Sequence, residues 1–249
     1  SINVIHYHGL PITPATAAGD VLQGKHAFAS FPNRDQLEIA LDVCQSFALD
    51  NGAFPAWRSG KPVTDWKPYY EWVEGLKCSP GFDFAVIPDV IDGDEIDNDS
   101  LIAEWPHERA LSAPVWHMHE SIERFYHLCH NWPTVCIGSS GAFAVVGTPQ
   151  WWARIGLALN EVVNDYGQPP CKLHGLRMLD PNVFNRLPLS SADSTNIGRN
   201  IGIDKNWRGT YQPPDKAWRA KVMAARIESI NGATAWSEMV QVDMFGSAA

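Results

Sequence analysis

Asp193 stands among small hydroxyl residues in "PLSSADSTNIGRN" (188–200), after an apolar approach and before a polar, glycine-containing turn. A carboxylate so placed can cap a helix, bind a metal or attack an electrophilic carbon. Other residues able to do chemistry occupy the same kind of position, at the end of an apolar run. They are Asp50 in "ALDNGAF" (48–54), Asp89 in "AVIPDV" (85–90), His117 and His119 in "PVWHMHE" (114–120), Ser139 and Ser140 in "IGSSGAF" (137–143), and His174 in "KLHGL" (172–176).

Each motif has a chemical and a plain structural reading. After Asp50, Asn51 and Gly52 permit tight backbone; the carboxylate can take a proton or hydrogen bond from a heterocycle, or merely form a turn. In the acidic run 85–99, Asp94, Glu95 and Asp99 read as a solvated loop capping a helix that begins near Asp97, whereas Asp89 ends the apolar strand directly. The spacing does not suit an EF-hand, lacking its central glycine and terminal glutamate. His117 and His119 fall on one face if both are in a strand. The pattern recurs at His6 and His8, and with His174 and Asp193 these are the ingredients of a metal-dependent amidohydrolase barrel. Gly141, after two serines, lets a planar ligand or phosphate approach the backbone, although no dinucleotide or Walker spacing is present. Arg199, between Asn196 and Asn200, suits a phosphate or a carboxylate partner, while Ser194 or Thr195 is a candidate helix cap.

The elements that must position these residues follow from the apolar pattern. Strands are expected at 3–9, 26–31, 46–52, 82–89, 114–119, 134–140, 172–176 and 187–193. Helices are expected at 34–43, 65–77, 97–111, 120–131, 149–166, 180–185 and 214–230. Strands alternating with helices imply right-handed βαβ units and a parallel sheet, and eight of them imply a closed (β/α)8 barrel over 1–249 as a single domain. The chemistry-bearing residues all fall at C-terminal strand ends, the face on which barrels carry their sites. The 249 residues, 45% hydrophobic with eleven tryptophans, suffice for one such core. The formal net charge of −9 gives no global field for nucleic acid. Cys44, Cys78, Cys129, Cys136 and Cys171 are odd in number and never in a CxxC pair, which argues against a disulfide framework and a cysteine zinc site. With no apolar run of eighteen and no signal-peptide pattern, a soluble cytoplasmic protein is expected.

Taken in order, "DNGAF", "VIPDV", "PVWHMHE", "IGSSGAF", "LHGL" and "SSADSTNIGRN" resemble the motif series of the tRNA-guanine transglycosylase superfamily, over residues 50 to 200. The small phage and bacterial members that exchange guanine for a 7-deazaguanine in DNA are the nearest in pattern. The resemblance implies a barrel in which Asp193 is the nucleophile on C1′ of the target nucleotide and Asp50 moves protons as bases leave and enter. It implies that Asp89 reads the purine's amino and ring N–H groups, helped by Asn51, Gly52 and Phe54 of the first motif. His117 or His119 stands where the family has glutamine, Ser139, Ser140 and Gly141 stand where glycine passes close to the base, His174 belongs to the "LHGL" strand, and Arg199 is a phosphate contact. No metal ligand and no cofactor is implied in the site. The partners implied are a purine base and a nucleic acid.

The family's zinc-binding CxCxxC…H element has no counterpart after residue 193. This favours DNA over tRNA, and the lack of an apolar run of eighteen residues makes a membrane partner unexpected. A polymer needs a local basic strip. The stretch from Arg199 to Arg226 offers Lys205, Arg208, Lys216, Arg219, Lys221 and Arg226, interleaved with Trp207, Tyr211 and Trp218. Alternatively it is a basic final helix that covers the barrel. Besides the metal hydrolase, a barrel that binds a nucleotide without turnover is the remaining expectation.

Overall fold

The computed structural model describes residues 4–194 and 215–237. Among these, nine parallel strands form one sheet: β1 (Ile5–Gly9), β2 (His26–Ser30), β3 (Ser46–Asp50), β4 (Phe82–Val86), β5 (Ser112–Ala113), β6 (Val115–His117), β7 (Thr134–Gly138), β8 (Lys172–Gly175) and β9 (Ser191–Ser194). The helices are α1 (Ala18–Leu22), α2 (Leu37–Val43), α3 (Ala53–Arg58), α4 (Lys67–Leu76), α5 (Glu95–Glu104), α6 (Ile122–Asn131), α7 (Pro149–Val162), α8 (Pro181–Phe184) and α9 (Lys216–Glu228).

The sheet order is β5-β4-β3-β2-β1-β9-β8-β7-β6. Its two ends, β5 and β6, are consecutive in the chain and separated only by Pro114, so the sheet closes on itself. Pro114 has no N–H and breaks the ladder. On one side of it Ala113 O accepts from Ile87 N at 2.9 Å; on the other, Pro114 O accepts from Cys136 N at 2.9 Å. The expected fifth strand therefore appears as two short segments that hand the barrel from β4 to β7. This is a TIM-type (β/α)8 barrel in one domain.

Several boundaries differ from expectation for local reasons. The helix expected at 97–111 starts at Glu95, because Asp94 and Asp97 form a reciprocal capping box, and ends at Glu104 before Pro106. The strand expected at 187–193 is confined to Ser191–Ser194 after Pro188, and the helix expected at 149–166 stops at Val162. Neither α1 nor α3 was expected.

Two apolar regions hold the barrel. One lies between sheet and helices; the other fills the lumen with Tyr7, Phe28, Ala48, Phe84, Val86, Ala113, Val115 and Cys136. Packing outweighs capping: α7 buries Trp151, Trp152, Ile155, Ala158, Leu159 and Val162. Ile155, Leu159 and Val162 each contribute about 1.5–3 kcal/mol against ~1 kcal/mol for the Thr148 cap.

Tyr7 is the central lumen side chain. Its ring contacts those of His26, Phe28, Phe84 and His174, and its hydroxyl donates to Asp83, which also accepts from Ser46 Oγ. Tyr7→Phe should keep the ring packing and lose the donor to Asp83. A loss of about 1–2 kcal/mol in urea unfolding, with unchanged slope, is expected.

Candidate active site

At the C-terminal end of the barrel a cavity of about 460 Å³ opens between the strand-following loops. Of the residues singled out in the sequence, Asp50, Asn51, Phe54, Asp89, His117, Ser139 and Asp193 line it. Period-two alternation sends Asp50, His117 and Asp193 into the lumen, in line with Ser46 and Ala48 below Asp50 and Val115 below His117.

Asp193 is buried, and its Oδ1 is fully engaged. His174 Nε2 lies 3.2 Å away and the backbone N–H of Arg177 donates at 2.9 Å. His174 is itself fully buried one layer deeper, stacked on Phe28, with Nδ1 2.8 Å from Ser191 Oγ. A carboxylate only accepts, so Nε2 carries a proton toward Asp193, while Nδ1 meets the Ser191 hydroxyl. His174 thus supports the carboxylate from below and does not line the cavity. Oδ2 of Asp193 accepts no hydrogen bond from a described residue.

Asp50 has a different environment. Burial pushes its carboxyl up to about 7, the nearby Asp193 and Asp89 charges push the same way, and donation from Ser30 Oγ (2.9 Å) and Gly52 N (3.2 Å) opposes them in part. Gly52 is required here because its φ is +80° and a Cβ would lie 2.4 Å from Pro32 Cδ. It shapes the loop without lining the cavity.

Asp89 is tied on both oxygens. Asn51 Nδ2 donates to Oδ1 at 2.8 Å and to Ile87 O at 2.9 Å, while His117 Nε2 lies 2.8 Å from Oδ2. Burial works against protonation of His117, but its contacts with Asp89 and Glu120 outweigh it and raise the ring to about 9. At neutral pH an imidazolium therefore donates to Asp89. Glu120 lies behind it, accepting from His117 N (2.9 Å) and Asn98 Nδ2 (2.9 Å), with Arg124 Nε 3.4 Å away. Burial pushes the Glu120 carboxyl up, but His117 and Arg124 bring it below the ordinary range. Each Asp89 oxygen retains a further lone pair, and the residue lines the cavity.

The expectation that His117 and His119 share a strand face is corrected. The strand ends at His117, where Glu120 N donates back to His117 O at 2.8 Å and begins a turn. His119 is exposed on that turn, with its ring nitrogens near Ser140 Oγ (2.7 Å) and Gly93 O (3.0 Å). Ser140 serves that contact, and Gly141, at φ +55°, packs on the His119 Cβ; neither lines the cavity. Ser139 does, accepting from Trp151 Nε1 at 2.9 Å.

The amidohydrolase ligand set is not assembled. His6 and His8 flank the inward-facing Tyr7 and therefore point out of the lumen. His6 Nε2 meets Ile230 O at 2.9 Å and His8 Nε2 meets Glu228 Oε1 at 2.7 Å, both at the C-terminal end of α9. Among the described residues no three His, Cys, Asp or Glu side chains are grouped to hold a metal. Arg199, Lys205, Trp207, Arg208 and Tyr211 lie outside the described residues. The described part of the basic strip is α9, which covers the barrel flank through Ala220, Met223, Ala224 and Ile227 and leaves Trp218 58% exposed.

Among the cavity-lining residues that the sequence did not single out are two arginines, Arg58 and Arg177. Arg177 follows "LHGL" directly, a strand-end position that could have flagged it. No helix among the described residues is long and apolar enough to cross a membrane.

No family model and no curated protein matches the sequence. Among solved structures, a protein from Aquifex aeolicus VF5 is similar at 11% identity and TM-score 0.47, over 90% of this chain and 92% of that one. Tryptophan synthase from M. tuberculosis is similar at 11% identity and TM-score 0.45, over 92% of each chain. Likeness this distant says nothing of activity.

Two titrations should appear in stability. Between pH about 4 and about 7 the folded protein binds a proton at Asp50 that the unfolded chain does not, so stability falls as pH rises through that window. For His117 the extra native proton gives stability that is complete below pH 6.5 and lost as pH rises through about 9. Thermal midpoints across pH 4–10 should show both declines. Asp50→Asn should remove the first and melt higher than wild type at pH 8.

Proposed function

We propose that this barrel exchanges or removes a purine base at the N-glycosidic bond of a nucleotide, with DNA the favoured polymer. The observation that carries the reading is one cavity holding three carboxylates in three different states of compensation. Carboxyl groups with different hydrogen-bond partners in one cavity can divide acid, base and nucleophile roles between them. The motif order of the transglycosylase superfamily supports the same assignment.

Asp193 attacks C1′ through Oδ2, the oxygen not engaged by His174 and Arg177. The C1′–N9 bond breaks as the Oδ2–C1′ bond forms, leaving a glycosyl ester on the enzyme. The departing purine takes its proton from Asp50, whose carboxyl is raised to about 7 and so is poised to give and accept protons near neutrality. The incoming base then loses its N9 proton to Asp50, and its nitrogen attacks C1′ and releases Asp193. Asp89 offers two acceptor lone pairs to adjacent N–H groups on the purine edge, and the imidazolium of His117 keeps that carboxylate in place. His117 is a positioning residue here, because Asp89 occupies its Nε2.

The test is incorporation of radiolabelled guanine into single-stranded DNA, duplex DNA and tRNA. Exchange into DNA should exceed that into tRNA. Asp193→Ala should abolish it, Asp50→Asn should slow it by about 10²–10⁴-fold, and Asp193→Asn should trap no covalent adduct. Full exchange by Asp193→Ala would remove the reading. Activity lost on chelation and restored by a transition metal would instead favour a hydrolase.

A further inference from the structure

The floor of the cavity is built for a neutral, hydrogen-bonding ring. Asp193, Asp89 and His117 are buried there, and the carboxylates would repel a phosphate. The mouth has the opposite character. Arg58 and Arg177 are both exposed and line the same cavity, and no lysine does so among the described residues.

Arg177 has two unusual features. Its φ is +57°, in the left-handed region, and it is the one non-glycine residue there among those described. A long side chain pays for that conformation, and glycine or asparagine would fit with less strain. The residue is exposed and lies outside the apolar core. The conformation does two things at once: it aims the Arg177 N–H at Asp193 Oδ1, and it lays the guanidinium 3.6 Å from the centroid of the Phe54 ring. Phe54 and Arg58 lie one turn apart on α3, so both rise from the same helix face. Trp57, 40% exposed, has its ring 5.9 Å from that of Phe54. Guanidinium groups beside aromatic faces at a pocket rim are suited to a phosphate and its neighbouring base.

We propose that Arg177 and Arg58 form an anion clamp that holds the phosphate of the target nucleotide at the mouth while its base occupies the carboxylate floor. The assignment rests on the base-exchange reading and adds to it a selectivity for nucleotides over nucleosides.

Isothermal titration of the intact protein with deoxyguanosine, dGMP and inorganic phosphate tests this, using wild type, Arg177→Gly, Arg58→Ala and Asp89→Asn. Wild type should bind dGMP about tenfold or more tighter than deoxyguanosine, the scale of a charge-assisted contact. Arg177→Gly suits the left-handed backbone and keeps the N–H on Asp193 but gives up the guanidinium contact with Phe54, so the protein should stay folded at the titration temperature even where its melting temperature changes. Its dGMP-to-deoxyguanosine affinity ratio should drop to about one, and Arg58→Ala should lower the ratio in part. Asp89→Asn should weaken both ligands and leave the ratio standing. Equal affinities in wild type, or a ratio that survives Arg177→Gly, overturns the clamp while leaving the base site intact. Arg177-dependent binding of phosphate with no binding of either guanine compound supports the clamp and overturns the base-exchange reading.

Discussion

Carboxylates crowded around one cavity repel each other, and burial costs each several kcal/mol unless something bears its charge. This barrel meets that constraint differently for each of three aspartates. Asp89 has the imidazolium of His117 and the amide of Asn51; Asp193 has a backbone N–H and His174 on a single oxygen. Asp50 has only Ser30 and Gly52 as donors, and it holds a proton up to about pH 7. The compensations depend on one another. Weakening His117 would leave more negative charge facing Asp50 and would raise its carboxyl further.

The arrangement is rigid because each compensating group is anchored outside the cavity. His117 is backed by Glu120, and Glu120 by Asn98, whose amide also joins Val90 across the loop after β4. Arg154 on α7 donates to Met118 O at 2.8 Å and also to Glu120 O, so the turn after β6 is held from the neighbouring helix. His174 is wedged between Phe28, Tyr7 and Phe84 in the lumen layer below. Among the described residues the polar groups of the cavity are already aligned, as they are in preorganised electrostatic sites.

Much of this was legible because a strand's alternation and a barrel's polarity are both sequence-local. Apolar runs ending in Asp50, Asp89, His117 and Asp193 identified four residues that do share a cavity. The errors have physical causes. His119 was placed beside His117 on the assumption that the strand continued; Glu120 turns the chain by accepting the His117 N–H. His6 and His8 read as candidate ligands from type and spacing, but the apolar alternate positions decide which side faces inward. Ile5 and Tyr7 are those positions, and they take the lumen side. Pro114 was visible, but its consequence, a strand that pairs first with one neighbour and then with the other, appears only when the barrel closes. Arg177 was overlooked because its left-handed backbone and its contact with Phe54, distant in the chain, are tertiary facts.

The placement of Arg177 connects the two ends of the site. On the proposed reading the guanidinium binds the substrate's phosphate while the same residue's N–H fixes which oxygen of Asp193 is engaged and which is left to attack. Binding energy from a non-reacting part of the substrate is useful for rate only when it orients the reacting atoms. Here both interactions belong to one residue held in a costly conformation. On that reading a phosphate held by the guanidinium would favour the conformation that also orients Asp193. Strain at Arg177 then has a function that glycine, which suits the backbone better, would not supply.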